Sequence, residues 1–324
     1  MWVWVQLIVG FVLLFGGGEM LVRGSVSVAR TLGVSTLVIG LTLVGFGTSM
    51  PEMVTCAHAA LAGRPAIAVG NVIGSNIANI LLIMGIGALF WPMSCPRRSF
   101  TRDMSVLLVV SVGMAAVILS GHVGRVVGSI FVLLLMAYTC FCYRTDSNDP
   151  HVPVAEIVPD PTEILKAAPS RGAVLAIGLG VSVLGFVCIM LGANALISSA
   201  VVVARQFGIS EAAIGLSLVA IGTSLPELAT IIMASIRRQT DMVFGNIIGS
   251  NIFNTLGILG TTAVISPLDV PEQIIALDIW IMLGVVSLLV LFARSNWRIS
   301  RAEGGMLLLT YFAYMALVFG VNTG

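Results

Sequence analysis

Forty residues of this chain occur twice. Gly40–Asn79 and Gly215–Asn254 align without a gap at a constant offset of 175 residues and share 19 identical positions, where chance in so apolar a chain would give about four. GLTLVGFGTSMPEMVT…GNVIGSNIAN is answered by GLSLVAIGTSLPELAT…GNIIGSNIFN. The identities fall on Gly, Thr, Ser, Pro, Glu and Asn as well as on aliphatic residues. A polar pattern repeated inside apolar segments restricts the possible folds, because both copies must bring costly polar groups to one sheltered place.

The apolar segments read as membrane helices. Hydrophobic residues make up 58% of the chain and charged ones 10%, with a mean hydropathy of +1.06, which is the composition of an integral membrane protein. Runs of about 20 apolar residues suffice to cross the ~30 Å hydrocarbon layer. We read ten spans over 3–22, 34–61, 66–90, 104–120, 123–143, 172–204, 210–236, 242–265, 273–293 and 304–321. The first has no basic region before it and reads as a retained span rather than a signal peptide.

Assigning loops alternately to two sides puts thirteen of the sixteen Lys and Arg residues on one side and Arg64, Arg125 and Arg205 on the other. The positive-inside rule then places both termini outside a multi-pass cell (inner) membrane and the central loop in the cytoplasm. The net charge of +1 says nothing about partners; the lipid bilayer and small cations are expected, and no nucleic acid.

Five spans (1–143) precede a loop at 144–171 and five (172–324) follow it. The loop holds five of the twelve prolines and the acids Asp146, Asp149, Glu156, Asp160 and Glu163, and reads as a solvated cytoplasmic linker with a short helix at 162–168. Spans two and seven are an odd number of crossings apart, so the two copies run in opposite directions. The expected fold is an all-α membrane protein of ten transmembrane helices, arranged as two inverted five-helix repeats.

Within each copy, Gly47-Thr48-Ser49-Met50-Pro51-Glu52 and Gly222-Thr223-Ser224-Leu225-Pro226-Glu227 sit mid-span. Proline removes a backbone donor and clashes with the carbonyl four residues earlier. A break at membrane depth is tolerated where it faces protein or a wet cavity. It would offer carbonyls around Gly45–Thr48 and Ala220–Thr223, with hydroxyls beside them. Glu52 follows Thr48 by four residues, as Glu227 follows Thr223, so each pair is expected on one helical face.

An ionised carboxylate near the bilayer centre costs at least ~2.5–3.5 kcal/mol, and no Lys or Arg lies within these spans to pair with either Glu. Protonation or bound cations remain, and the surrounding oxygens favour cations. The second element of each copy adds Ser75 with Asn79, and Ser250 with Asn254, again four apart. Calcium takes 6–8 oxygens, carboxylates supplying charge. Two Glu neutralise one Ca²⁺; the same cage divided into smaller sub-sites could hold several Na⁺. Gly70, Gly74, Gly245 and Gly249 read equally well as helix-packing devices. Glu19 is expected to form an interfacial ion pair with Arg23, and His58 to be packed. The five cysteines show neither metal-site spacing nor disulfide placement, and three scattered histidines with no HExxH leave no hydrolase constellation. No enzyme activity and no cofactor are expected.

At these residues the chain resembles the sodium/calcium exchanger branch of the calcium/cation antiporter superfamily, and within it the compact prokaryotic members, because no large regulatory loop is present. The match runs over essentially the whole length. It implies an antiporter carrying Ca²⁺ against Na⁺ by alternating access, with spans one and six sliding against the other eight. Glu52 and Glu227 would be the central calcium ligands, shared with sodium, and Thr48 and Thr223 would add backbone oxygens. Ser49 and Ser250 with the Gly45 carbonyl would form one sodium site. Ser75 and Ser224 with the Ala220 carbonyl would form its mirror image, and Asn79 and Asn254 would line the middle. Some relatives have Asp where this chain has Asn254, which leaves two acids in the cage and disfavours potassium co-transport. The alternative is a proton-coupled antiporter of Ca²⁺ or another divalent cation, since burial disfavours charged carboxylates and H⁺ could replace Na⁺. Against it, the Gly-Asn-x-x-Glu motif of the proton-coupled branch is missing from GNVIGSN and GNIIGSN.

Overall fold

A computed structural model describes residues 2–94, 97–146, 170–206 and 220–322. Most of the expected linker, its short helix at 162–168, Cys95 and residues 210–219 of span seven lie outside the described residues.

Long helices account for nearly all of the structure. They are α1 (Trp2–Leu32), α2 (Thr36–Thr48), α3 (Met50–Leu61), α4 (Pro65–Phe90), α5 (Arg97–Ile118), α6 (Arg125–Asp146), α7 (Arg171–Gln206), the short α8 (Ala220–Thr223), α9 (Leu225–Ile236), α10 (Thr240–Ile265), α11 (274–296) and α12 (Arg301–Asn322). By length and apolarity seven of them can cross a membrane, or eight when α2 and α3 are taken as one span bent by 44°. With this composition, the chain is a multi-pass membrane protein. Of the other two expected spans, 210–236 is described only from position 220 onward, and 304–321 lies inside α12. The first span is longer than expected: α1 continues ten residues beyond position 22, to Leu32, where Gly33 turns the chain at φ +73°.

Four two-residue strands tie the helix ends together. β1 (Met93–Ser94) pairs antiparallel with β4 (Arg298–Ile299), and β2 (His122–Val123) with β3 (Leu268–Asp269). Adding 175 to β1 gives the residues of β3, and adding it to β2 lands one residue short of β4. Each ribbon therefore joins the two halves, and each is the counterpart of the other.

Two polar pairs repeat in the same way. Tyr138 on α6 donates to Asp103 on α5 at 3.2 Å, and Tyr314 on α12 donates to Asp278 on α11 at 3.3 Å. Asp103 and Asp278 are 175 apart. Neither pair belongs to the duplicated forty residues. Asp103 is fully buried and also receives Arg102 Nε at 2.6 Å, which compensates its charge.

The core lies around α10, whose most apolar stretch is wholly buried within the protein. It packs on α2, α3 and α6, while α4 packs on α9, α12 and α3. Close approach of α10 to α2 depends on glycine: a Cβ at Gly249 would fall 2.6 Å from Leu41 Cα, and Gly245 abuts the Leu37 carbonyl. For these two glycines packing is the role observed. His58 is exposed rather than packed, and Cys140 is exposed while Cys142 is buried.

α1 and α7 form a unit of their own. They lie antiparallel, with Gly10, Gly17 and Gly24 of one helix opposite Gly192, Gly185 and Gly178 of the other; a Cβ at Gly17 would sit 2.6 Å from Gly185 O, and one at Gly24 2.7 Å from Gly178 O. Glycine every seventh residue on both helices lets the two backbones touch along their length. Arg171 closes the end of the pair, its Nε donating to Thr31 O at 2.8 Å.

Candidate ion-binding site

Both GTSxPE motifs break their helices, and in the same way. Ser49 has φ −86°, ψ 6° and Ser224 has φ −92°, ψ 5°, each just before a new helix that carries proline in its first turn. Proline therefore starts α3 and α9 rather than lying inside a helix, a position where its missing N–H costs nothing. This corrects one expectation. Thr48 ends α2 while Glu52 opens α3, so the two do not share a helical face. Each Glu instead sits in the first turn of a half-helix, where the positive end of the helix dipole favours a carboxylate by roughly 0.3–1 kcal/mol. The carbonyl ends of α2 and α8 point the opposite, negative pole towards the same region.

The halves meet here. Ser49 Oγ donates to Glu227 Oε1 at 3.0 Å, and the Thr48 side chain reaches the same carboxylate. Ser250 Oγ donates to the Gly45 carbonyl at 3.2 Å, and Thr48 Oγ1 lies 3.4 Å from that oxygen. Glu52 and Glu227 are close enough to interact electrostatically. Thr48, Ser49, Glu52, Ser75, Asn79, Ser224, Glu227, Ser250 and Asn254 are all buried, while Thr223 is half-buried. Ala220 begins α8, so its backbone, like that of Gly45, belongs to the half-helix before the break. Direct hydrogen bonds thus join Ser49, Glu227, Gly45, Ser250 and Thr48. Ser75, Asn79, Ser224 and Asn254 are buried without one to that cluster.

Among the candidate residues, three side-chain oxygens end without partners: Glu52 Oε2, Glu227 Oε2 and Asn254 Oδ1. Leaving such an atom buried and unsatisfied costs about 1–3 kcal/mol, more for a charged group. Nearby cations would satisfy all three. Hard cations of the Ca²⁺ and Na⁺ class match this donor set of carboxylates, hydroxyls, amide oxygen and free carbonyls; no soft donor takes part.

Helix irregularities flank the cage. π-helical turns cover Gly40–Val44, Asn79–Ile83 and Phe253–Leu259, so that Asn79 opens one and Asn254 lies in another. Such turns widen the backbone and leave carbonyls less tightly held. Beside them Phe46 and Phe253 stack with ring centroids 4.6 Å apart, pinning α2 to α10 next to Gly45 and Asn254.

Sequence reasoning missed three neighbours. Asn76 Nδ2 donates to Thr255 Oγ1 at 3.1 Å, a bridge between α4 and α10. Asn246, one turn before Ser250, is buried with neither amide atom paired. Asn76 and Asn246 are part of the duplicated motif, so the signal was present; Thr255 has no counterpart, since position 80 is Ile.

Known proteins resemble this chain over nearly its whole length. The family model described as sodium/calcium exchanger protein matches residues 2–144 and 177–320. A putative antiporter, CaxA of Alkalimonas amylolytica, is 35% identical over 97% of this chain and 98% of its own. The sodium/calcium exchanger MaX1 of Methanosarcina acetivorans is 31% identical over 97% of both chains. Among solved structures, the sodium-calcium exchanger NCX_Mj soaked with 10 mM Na⁺ and no Ca²⁺ superimposes with a TM-score of 0.83 at 29% identity, covering 97% of this chain and 98% of that one. Relatives of such length and likeness, two mirrored helix breaks and a buried pair of acids leave one assignment: the chain belongs to the sodium/calcium exchanger family and is of its compact prokaryotic type.

Proposed function

We propose that this protein is a secondary antiporter that exchanges Na⁺ for Ca²⁺ by alternating access. The observation that carries the reading is the meeting of Glu52 and Glu227, one from each half, with Ser49 bridging to Glu227 and an unpartnered oxygen left on each carboxylate. Glu52 and Glu227 hold the ions centrally, with the Thr48 and Thr223 backbones. Ser49, Ser250 and the Gly45 carbonyl form one sodium position, Ser75, Ser224 and the Ala220 carbonyl form the other, and Asn79 and Asn254 line the centre between them.

The architecture proposed with it is ten spans in two inverted repeats, 1–143 and 172–324, joined by a cytoplasmic linker at 144–171, with both termini outside. The 175-residue relation between the two ribbons and between Asp103 and Asp278 supports the duplication beyond the forty matched residues.

Coupling follows from charge. An empty cage with both acids ionised would carry two uncompensated charges through a dry barrier, at several kcal/mol each. One Ca²⁺ cancels them, and so do two Na⁺; further Na⁺ bound by neutral oxygens makes exchange electrogenic. No step is enzymatic and no resident cofactor enters.

Calcium uptake into proteoliposomes, driven by an outward Na⁺ gradient or by a pH gradient, tests the proposal. Sodium should drive uptake. Uptake driven by pH alone would replace Na⁺ with H⁺ as the counter-ion, and uptake under neither gradient would remove the antiport reading.

A further inference from the structure

The α1/α7 pair does not sit symmetrically between the two halves. α1 packs along α9, with Gly18 against Ala229 and Met233, and α7 also touches α9. The counterpart of the α1–α9 contact, reached by exchanging the repeats, is α7 against α3. Among the described residues no comparable packing exists there. Exchanging the roles of the repeats therefore describes a second arrangement, with α7 on α3 and α1 withdrawn from α9.

An ion pair marks the side that is closed. Glu19 on α1 accepts from Arg23 one turn along at 2.5 Å, and its Oε2 accepts Arg237 Nε at 2.9 Å, with a further contact from Arg237 Nη2 to Oε1. Arg237 directly follows α9, ten residues after Glu227. The side chains of Glu19 and Arg237 are 18% and 32% exposed, so the two-pronged contact is partly shielded from water. The mirrored positions hold no such charges. Asn194 stands for Glu19, Ser198 for Arg23 and Ala62 for Arg237, and Ser198 makes only a long 3.5 Å contact to Asn194.

We propose that Glu19 and Arg237 are a one-sided latch: positioning residues that hold the α1/α7 pair against α9 and so make the two access states unequal in energy. The inference rests on the alternating-access reading above. On separation Glu19 keeps Arg23, so no lone carboxylate is stranded and the latch can open. In the exchanged arrangement Asn194 approaches Ala62 and nothing replaces what was lost. The carrier thus rests with α1 closed on α9 until ions shift the balance.

Spin-label distances between Leu61→Cys on α3 and Leu191→Cys on α7, both exposed positions, report the exchange in a background free of native cysteines, in liposomes without Na⁺ or Ca²⁺. The unmodified latch should give mainly the long distance. Glu19→Gln and Arg237→Gln should each raise the short-distance population about fivefold or more, and the double variant should go no further than either alone. Installing the missing charges with Asn194→Glu and Ala62→Arg leaves the native latch intact and should also enrich the short distance, which guards against a variant that merely fails to fold. Superimposable distributions in all variants, or additive single effects, would overturn the latch. Distances do not depend on which cation is carried, so loss of Na⁺-driven flux in the unsubstituted protein would sink the functional reading separately.

Discussion

Ser49 and Glu227 lie 178 residues apart in the chain, yet the serine hydroxyl donates to the carboxylate at 3.0 Å in a fully buried setting. The bond has no mirror image: among the described residues Ser224 makes no hydrogen bond to Glu52. One acid is thus held by the opposite half while the other keeps more of its capacity for an ion. Duplicated parts have produced an unequal site, which suits the alternating access proposed above.

Glu52→Gln and Glu227→Gln should each abolish Na⁺-driven calcium uptake while leaving the protein folded. Either change leaves one negative charge against a divalent ion in a dry cage, a mismatch of roughly 3–5 kcal/mol, or more than about a hundredfold in rate. Flux measured in proteoliposomes beside the thermal transition of the same preparations separates lost transport from lost fold.

Ser49→Ala should weaken ion binding more than Ser224→Ala. A hydrogen bond to a charged group contributes about 1.5–3 kcal/mol, and of these two serines only Ser49 makes one with a Glu. Titration calorimetry with Na⁺ and with Ca²⁺ on purified protein should show the larger affinity change for Ser49→Ala, by about tenfold or more. Equal effects would mean that the asymmetry has no energetic weight.

Asn254→Asp places a third acid in the cage, in place of an amide whose oxygen lacks a partner. One Ca²⁺ would then leave a net negative cage, so turnover should become slower at high pH and recover as protons neutralise the added group. A pH series of calcium-uptake rates, compared with the unsubstituted protein, checks this. A pH profile unchanged from the parent would place position 254 outside the charge balance.

Gly17→Val and Gly185→Val should separate α1 from α7. A Cβ at Gly185 would lie 2.7 Å from the Gly17 carbonyl, and no side-chain rotation relieves a clash with backbone. Overpacking of this kind costs about 1–3 kcal/mol. Gly113→Ala, where a Cβ meets nothing within 4 Å, should leave the thermal transition unchanged.

Much of the site was legible before any coordinates. The duplicated GTSxPE and GNxIGSN patterns name eight of the twelve candidate residues, with Asn79 and Asn254 three residues beyond them and Gly45 and Ala220 two residues before, because Ser, Asn and Glu are costly in lipid and persist there only with a purpose. The Glu19–Arg23 pair was legible too, since helical spacing brings i and i+4 together. Arg237, their third member, was not, because its approach depends on which helix α1 leans against. The expected shared face of Thr48 and Glu52 failed for a local reason. Proline prefers the first turn of a new helix, and so it moved the break between the two residues rather than leaving them on one rod.

Composition, the arginine bias and the internal duplication determined that this chain crosses a membrane, in two related halves with an acid from each. Those properties are local or statistical, and each is written in residue type and spacing. Tertiary structure alone decided that Ser49 turns to Glu227 rather than to Glu52, that glycines every seventh residue weld α1 to α7, and that the welded pair rests on α9 and not on α3. Each of these depends on how rigid helices settle against neighbours far away in the chain. Near-identical repeats offer two such settlements, and a few unduplicated charges tip the choice between them.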